Sequence, residues 1–126
     1  MRKSILSING NKPMNYLLQT VISERYNFIA VTDVFQGLNE LKRRQEIELI
    51  IIDVDYHTPD SWNFIQHIKT SGLYQDKQIV VLKSSGNRTA IENSEGAEDY
   101  FIDKPFNPSE LIKKIDTLIL TSSFQN

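Results

Sequence analysis

The chain has 126 residues, of which 40% are hydrophobic and 24% charged, and it contains no cysteine. This composition indicates one globular domain, and it excludes disulfides, thiol nucleophiles and cysteine-bound metal sites. A formal net charge of -2 gives no positive field that would hold nucleic acid or an anionic membrane surface. Since no apolar stretch is long enough for a membrane span or a secretion signal, we expect a cytoplasmic protein.

Five short apolar runs predict the strands of a sheet. Each is at most five residues long, and in chain order they are 4–8, 28–31, 49–52, 79–82 and 100–102. They are rich in β-branched and aromatic side chains, and longer amphipathic segments separate them, which is typical of strands in a parallel sheet. The alternation predicts an α/β fold of three layers, a doubly wound five-stranded parallel sheet with helices on both faces.

Helix-period segments fill the intervals between these runs. The clearest are a first helix behind Pro13 and a last helix that opens with the capping sequence 107–110. Between them we predict a second helix over 34–45, a third that ends at 71–72, and a weakly apolar fourth within 86–96. We expect residues 1–121 to form a single domain and 122–126 to form a C-terminal tail.

Polar residues follow four of the predicted strands, at the carboxyl ends where sheets of this kind bind their ligands. The segment 9–12 follows the first strand, 53–57 the third, 83–85 the fourth and 103–106 the fifth. Because the carboxyl ends of parallel strands share one rim of the sheet, we expect two acids, a lysine and hydroxyl groups to converge there.

The order and content of these segments resemble the receiver domain of two-component response regulators, a CheY-like, flavodoxin-like fold. The most specific stretch is 103–111, Asp-Lys-Pro-Phe-Asn-Pro-Ser-Glu-Leu, which is similar to the family's Lys-Pro-Phe turn and last helix. The run 49–53 resembles the strand that delivers the family's phosphoacceptor aspartate. The segments 35–38 and 96–100 are similar to the entry of the second helix and the approach to the fifth strand. The resemblance spans nearly the whole chain.

The resemblance implies a bacterial signalling domain and not an enzyme. Asp53 would accept a phosphoryl group from a histidine kinase or phosphotransfer protein, while Ser84 and Lys104 would hold the phosphoryl oxygens. Phosphorylation would then switch a surface that binds a downstream protein partner, with no direct contact to nucleic acid or membrane. Phosphoryl transfer needs such cations and donors in place beforehand, since negative charge gathers beside a carboxylate. The resemblance also favours a cis bond between Lys104 and Pro105.

Magnesium is expected to bind weakly at this site. The family holds Mg²⁺ with two acids after its first strand, and the corresponding residues here are Asn9-Gly10 or Gly10-Asn11. Mg²⁺ usually requires one or two carboxylates besides substrate oxygens, and only Asp53 and Asp55 are available. This deficit supports an alternative function, in which a degenerate pseudo-receiver binds its partners independently of phosphorylation.

Two aspartates compete for the role of phosphoacceptor. Asp55 has the family's spacing to the later Pro59. Strand length and the distance along the chain to Lys104 favour Asp53 instead. We therefore predict Asp53 as the acceptor and keep Asp55 as the alternative.

Two further positions and a third function stay open at this stage. Lys83 instead of Ser84 could fall at the hydroxyl position, and either Tyr100 or Phe101 could be the family's switch aromatic. A small flavodoxin-like ligand-binding domain or enzyme is the remaining class of function. No glycine-rich phosphate loop or catalytic triad supports that class.

Overall fold

Strands and helices alternate along the chain, and the computed structural model describes residues 2–84 and 100–124. The elements in chain order are β1 (Ser4–Ile8), α1 (Lys12–Ile22), β2 (Asn27–Val31), α2 (Val34–Arg43), β3 (Ile47–Asp53), α3 (Thr58–Thr70), β4 (Gln78–Ser84), β5 (Tyr100–Lys104) and α4 (Pro108–Phe124). The helix predicted within 86–96 lies outside the described residues. None of the described helices is long and apolar enough to cross a membrane.

The five strands form one parallel sheet in the order β2-β1-β3-β4-β5. The chain starts at β1, moves outward to β2 and then returns to β3 on the other side of β1. Sheets of this type bind ligands at the point where the strand order reverses, outside the carboxyl ends of the strands. The predicted doubly wound α/β fold is confirmed, and its reversal point lies between β1 and β3.

Two apolar cores lie on the opposite faces of the sheet. Successive side chains of β3 alternate between them, as the period of two in a strand requires. Ile50 and Ile52 pack towards α2 and α3, whereas Leu49 and Ile51 pack towards α1 and α4. All four side chains are fully buried. Burial on both faces explains why the strand reads as a continuous apolar run rather than as an alternating one.

The helix ends follow local capping chemistry. The side chain of Asn11 accepts a hydrogen bond from the backbone N–H of Met14 at the start of α1, and Asp33 caps α2 in the same way. At the other end of the chain α4 runs to Phe124, so the helix extends into the segment that was predicted as a C-terminal tail. The residues 121–124 contain neither glycine nor proline, so nothing in the sequence stops the helix there.

A close approach between α2 and β1 occurs at Gly37, whose position leaves no room for a side chain. A Cβ there would lie 2.5 Å from Cδ1 and 3.0 Å from Cγ1 of Ile8, which is itself buried. We expect Gly37→Val to lower the free energy of unfolding by about 2 kcal/mol through overpacking. The matched control is Gly72→Val, since within the described residues a Cβ built there meets no heavy atom within 4 Å apart from those of its chain neighbours. Urea denaturation of both variants measures the difference, and equal stabilities would contradict the prediction.

Candidate functional site

Three of the predicted site residues terminate neighbouring strands. Asp53 is the last residue of β3, Ser84 of β4 and Lys104 of β5. The register pairs Asp53 with Leu82 and Ser84 with Lys104. Because Leu82 and Ser84 are two residues apart, all three site residues belong to the same face of the sheet. The strand ends therefore bring together the carboxylate, the hydroxyl and the ammonium group that the sequence predicts.

Lys104 bridges two carboxylates at this rim. Its Nζ lies 2.8 Å from Oδ2 of Asp53 and 2.8 Å from Oδ2 of Asp55. The Asp53 side chain is only 1% exposed, so the ammonium group is the counterion of an otherwise buried charge. The other oxygen of Asp53 accepts a hydrogen bond of 3.0 Å from the backbone N–H of Asp55. The two aspartates and the lysine thus form a single charged cluster.

Opposing effects set the protonation of Lys104. Burial alone would lower the pKa of the ammonium group, but its hydrogen bonds and charge attraction to Asp53 and Asp55 outweigh burial. The net pKa of Lys104 is raised above its usual value. The side chain is therefore a permanent cation at neutral pH.

Ser84 completes the cluster, and Lys83 does not belong to it. The Oγ of Ser84 donates a 3.3 Å hydrogen bond to Oδ1 of Asp55. Lys83 is buried on the opposite face of the sheet, where its Nζ lies 2.5 Å from Oδ1 of Asp103 and 5.7 Å from the centroid of the Phe101 ring. Of the two candidates for the hydroxyl position, Ser84 therefore lies at the rim with the two aspartates, and Lys83 lies on the other face.

The end of β1 contributes a buried amide. Asn9 is 1% exposed, and its Oδ1 accepts a 2.8 Å hydrogen bond from the backbone N–H of Asn11. Its Nδ2 has no hydrogen-bond partner within the described part of the chain. Asn15 of α1 anchors this strand end by donating to the carbonyl oxygens of Val31 and Asn9 at 3.0 and 3.4 Å. Neither Asn9 nor Asn15 was predicted as part of the site.

Tyr56 covers the cluster from the loop that follows β3. Its ring centroid lies 5.5 Å from Nζ of Lys104, and its hydroxyl oxygen accepts a 3.0 Å hydrogen bond from Nδ2 of Asn11. The ring also lies against Gly10, where an added Cβ would be 3.0 Å from both Cβ and Cγ of Tyr56. Tyr56 thereby fills the space that a side chain at position 10 would occupy.

A cleft gives access to the buried aspartate. It has a volume of about 180 Å³ and lies between the amino-terminal ends of α2 and α3. Asp53 and Tyr56 line it, together with Asp33, Phe35 and Asp60. The buried carboxylate of Asp53 thus forms part of the wall of a small cleft.

No family model matches the chain, but several curated proteins do. The transcriptional regulatory protein PcoR of Escherichia coli is 30% identical over 121 residues, which cover 94% of this chain and 52% of PcoR. The phosphate regulon transcriptional regulatory protein PhoB of Escherichia coli strain K12 is 24% identical, with the same coverage of 94% and 52%. The chain spans about half the length of these relatives.

The solved structures agree in fold. A response regulator from Thermotoga maritima superposes with a TM-score of 0.81 at 21% identity, covering 94% of this chain and 98% of that one. This match, together with the relatives and the geometry of the rim, decides the assignment. The chain is a receiver domain of the response-regulator family. The resemblance on which the sequence interpretation was based is thereby confirmed.

The structure bears on two further expectations for the receiver domain. The Lys104–Pro105 peptide bond is cis, as the resemblance implied. Phe101 is partly buried, and its ring centroid lies 6.2 Å from that of Trp62 on α3. The side chain of Tyr100, the other candidate for the switch aromatic, lies outside the described residues.

The residues of this receiver domain do not fit a resident Mg²⁺ ion. Mg²⁺ requires near-octahedral oxygen ligands, and the described part of the chain contains no group of three acidic or histidine side chains that could hold a metal ion. Asp53 and Asp55, the two predicted metal ligands, both contact Lys104. The end of β1 offers no carboxylate, and Tyr56 packs against Gly10. The resemblance places the family's two acids at Asn9-Gly10 or Gly10-Asn11, and neither pair offers a carboxylate here.

Proposed function

We propose that this receiver domain accepts a phosphoryl group on Asp53 from a histidine kinase or phosphotransfer protein. The observation that carries the proposal is the 2.8 Å contact between the buried Asp53 carboxylate and the Lys104 ammonium group at a cleft. A nucleophilic carboxylate that receives a phosphoryl group gains negative charge, and a preplaced cation stabilises that charge.

The transfer uses groups that are already in contact. An oxygen of Asp53 forms the new bond to phosphorus while the bond from phosphorus to the donor's nitrogen breaks and the imidazole leaves. Lys104 has three N–H donors, so it can hold a phosphoryl oxygen and keep its contact with Asp55. The hydroxyl of Ser84 can turn from Asp55 to a second phosphoryl oxygen.

Asp53 is a better candidate than Asp55 for the acceptor. Asp53 ends the central strand and lines the cleft, and its carboxylate is fixed by Lys104 on one oxygen and by a backbone N–H on the other. Asp55 lies in the following loop, where it accepts the Ser84 hydroxyl. Its role in the proposal is to hold Ser84 in the unphosphorylated state.

Phosphorylation would alter a partner surface through Ser84. This residue ends β4 and is exposed, so its rotation towards a phosphoryl group changes the polar surface at the carboxyl end of β4. Two arrangements of this hydroxyl, with Asp55 or with the phosphoryl group, give the two-state element that a signalling switch needs. We propose a protein as the downstream partner, since the net charge of -2 does not favour direct binding to nucleic acid.

Intact mass spectrometry after incubation with acetyl phosphate tests the proposal. The expected result is the mass increase of one phosphoryl group, lost again on treatment with hydroxylamine, which cleaves acyl phosphates. Peptide mapping is expected to place the modification on Asp53. An unmodified protein after incubation with and without Mg²⁺ would overturn the proposed function. Such a result would leave the phosphorylation-independent module as the remaining interpretation.

A further inference from the structure

The amide of Asn9 is a buried donor at the rim that also carries Asp53. Its orientation is fixed, because only the amide oxygen can accept the 2.8 Å hydrogen bond from the backbone N–H of Asn11. The NH₂ group of the amide is therefore the part of the side chain that still lacks a partner. It has no hydrogen-bond partner in the described residues, and Asn9 is only 1% exposed to solvent. Buried polar groups are almost always paired, so an unpaired donor beside a reactive carboxylate calls for a ligand.

The strand register places this donor next to Asp53. Ser7 of β1 pairs with Ile51 of β3, and residues two positions further along each strand share the same face. Asp53 occupies that position as the last residue of β3, and Asn9 is the first residue after β1, so continuing the register by one residue puts the two beside each other. Adjacent strands lie about 4.8 Å apart, so a phosphoryl group on Asp53 is within reach of a donor at the end of β1.

Position 10 has little room for a metal-binding side chain. A Cβ at this position would lie 3.0 Å from Cβ and 3.1 Å from Cδ1 of Tyr56, which is tighter than most Cβ contacts in proteins, so Tyr56 would have to shift by a few tenths of an ångström. The Tyr56 ring also contacts Lys104, whose Nζ lies 5.5 Å from the ring centroid. The cation between Asp53 and Asp55 in this site is Lys104 itself.

We infer that this receiver domain holds its phosphoryl group without a divalent cation, through the amide of Asn9 and the ammonium group of Lys104. The inference rests on the proposed phosphorylation of Asp53. With acetyl phosphate as donor, an Asp53 oxygen bonds to phosphorus, the bond from phosphorus to the acetate oxygen breaks, and acetate leaves with the electron pair. No proton, oxidant or further reactant is needed. Asn9 and Lys104 each donate to an oxygen of the transferred group.

The first test compares the wild-type domain with acetyl phosphate in EDTA and in millimolar Mg²⁺. We expect equal rates of phosphoryl incorporation in the two buffers. A reaction that proceeds only with Mg²⁺ would overturn the inference and leave the proposed function intact. No incorporation in either buffer would overturn the proposed function itself. A Mg²⁺ titration followed by amide NMR is a second readout, and a saturable shift at Asp53 or Asn9 would contradict the inference.

The second test removes the donor. Asn9→Ala is expected to slow phosphoryl incorporation in EDTA about tenfold, the effect of losing one hydrogen bond in the transition state. The matched control is Asn63→Ala, an exposed asparagine on α3, which is expected to react like wild type. Circular dichroism establishes that both variants are folded. An Asn9→Ala domain that is folded and reacts at the wild-type rate would exclude the role of the Asn9 amide.

Discussion

Replacing Asp53 by asparagine is expected to abolish phosphoryl incorporation from acetyl phosphate, by at least about 100-fold, because an amide is not a nucleophile towards phosphorus. The substitution is conservative in shape. Its Oδ1 can still accept the hydrogen bond from the backbone N–H of Asp55. The loss of phosphoryl incorporation would therefore result from the missing carboxylate and not from a displaced loop. Intact mass spectrometry of the variant and the wild type measures it.

The matched control for this substitution is Asp55→Asn. Asp55 contacts the same ammonium group but lies outside the strand, so its carboxylate is not required for the bond to phosphorus. We expect incorporation to persist and to become faster, since the change removes a negative charge beside the phosphoryl group. The reverse pattern, with activity in Asp53→Asn and none in Asp55→Asn, would assign the acceptor to the residue that has the family's spacing to Pro59.

Removing the ammonium group of Lys104 is expected to destabilise the domain. Lys104→Met keeps most of the apolar stem but leaves the Asp53 charge, 1% exposed, without its counterion. Breaking a buried ion pair in this way costs about 3–5 kcal/mol, and because the Lys104 side chain is 19% exposed we expect about 2 kcal/mol at neutral pH. Urea denaturation measures the loss.

A double-mutant cycle separates the charge effect from lost packing. In an Asp53→Asn background the buried charge is absent, so Lys104→Met should cost much less there. Equal costs in the two backgrounds would show that the ion pair does not stabilise the domain.

The pH dependence of the cycle follows from the raised pKa of Lys104. A raised folded-state pKa gives stability that is fully present below the ordinary lysine value of about 10.4 and is lost as the pH rises through the folded-state value. The difference between wild type and Lys104→Met should therefore stay constant from neutral pH to about 10 and shrink above it.

The sequence could locate the central part of this site because its signals are local. The apolar run of β3 ends abruptly in Asp53, and the Lys-Pro pair marks the end of β5. The sequence could not decide between Lys83 and Ser84 by such a local signal. Side chains on both faces of β4 are buried, so the run shows no alternation, and a shift of one residue exchanges the two faces.

The sequence did not predict the buried amides of Asn9 and Asn15, because their burial depends on tertiary packing. Asn15, Leu18 and Ile22 are the buried residues of α1, whereas Leu17 is 42% exposed. Hydrophobicity alone therefore predicts a stripe that is rotated away from the true buried face. The spacing of Asn15 to Leu18 and Ile22 was the available signal, because a polar residue at i–3 of an apolar stripe shares its face.

The site is built on the last residues of three adjacent strands, which sets where the chain tolerates added length. Inserting one residue into β5 before Asp103 would move Lys104 out of register with Ser84 and bring the acid Asp103 to face the carboxylates. The turn after α3 supplies none of the site residues, and its Leu73 is 79% exposed. A fluorophore or peptide tag inserted there would report on the domain without disturbing its chemistry.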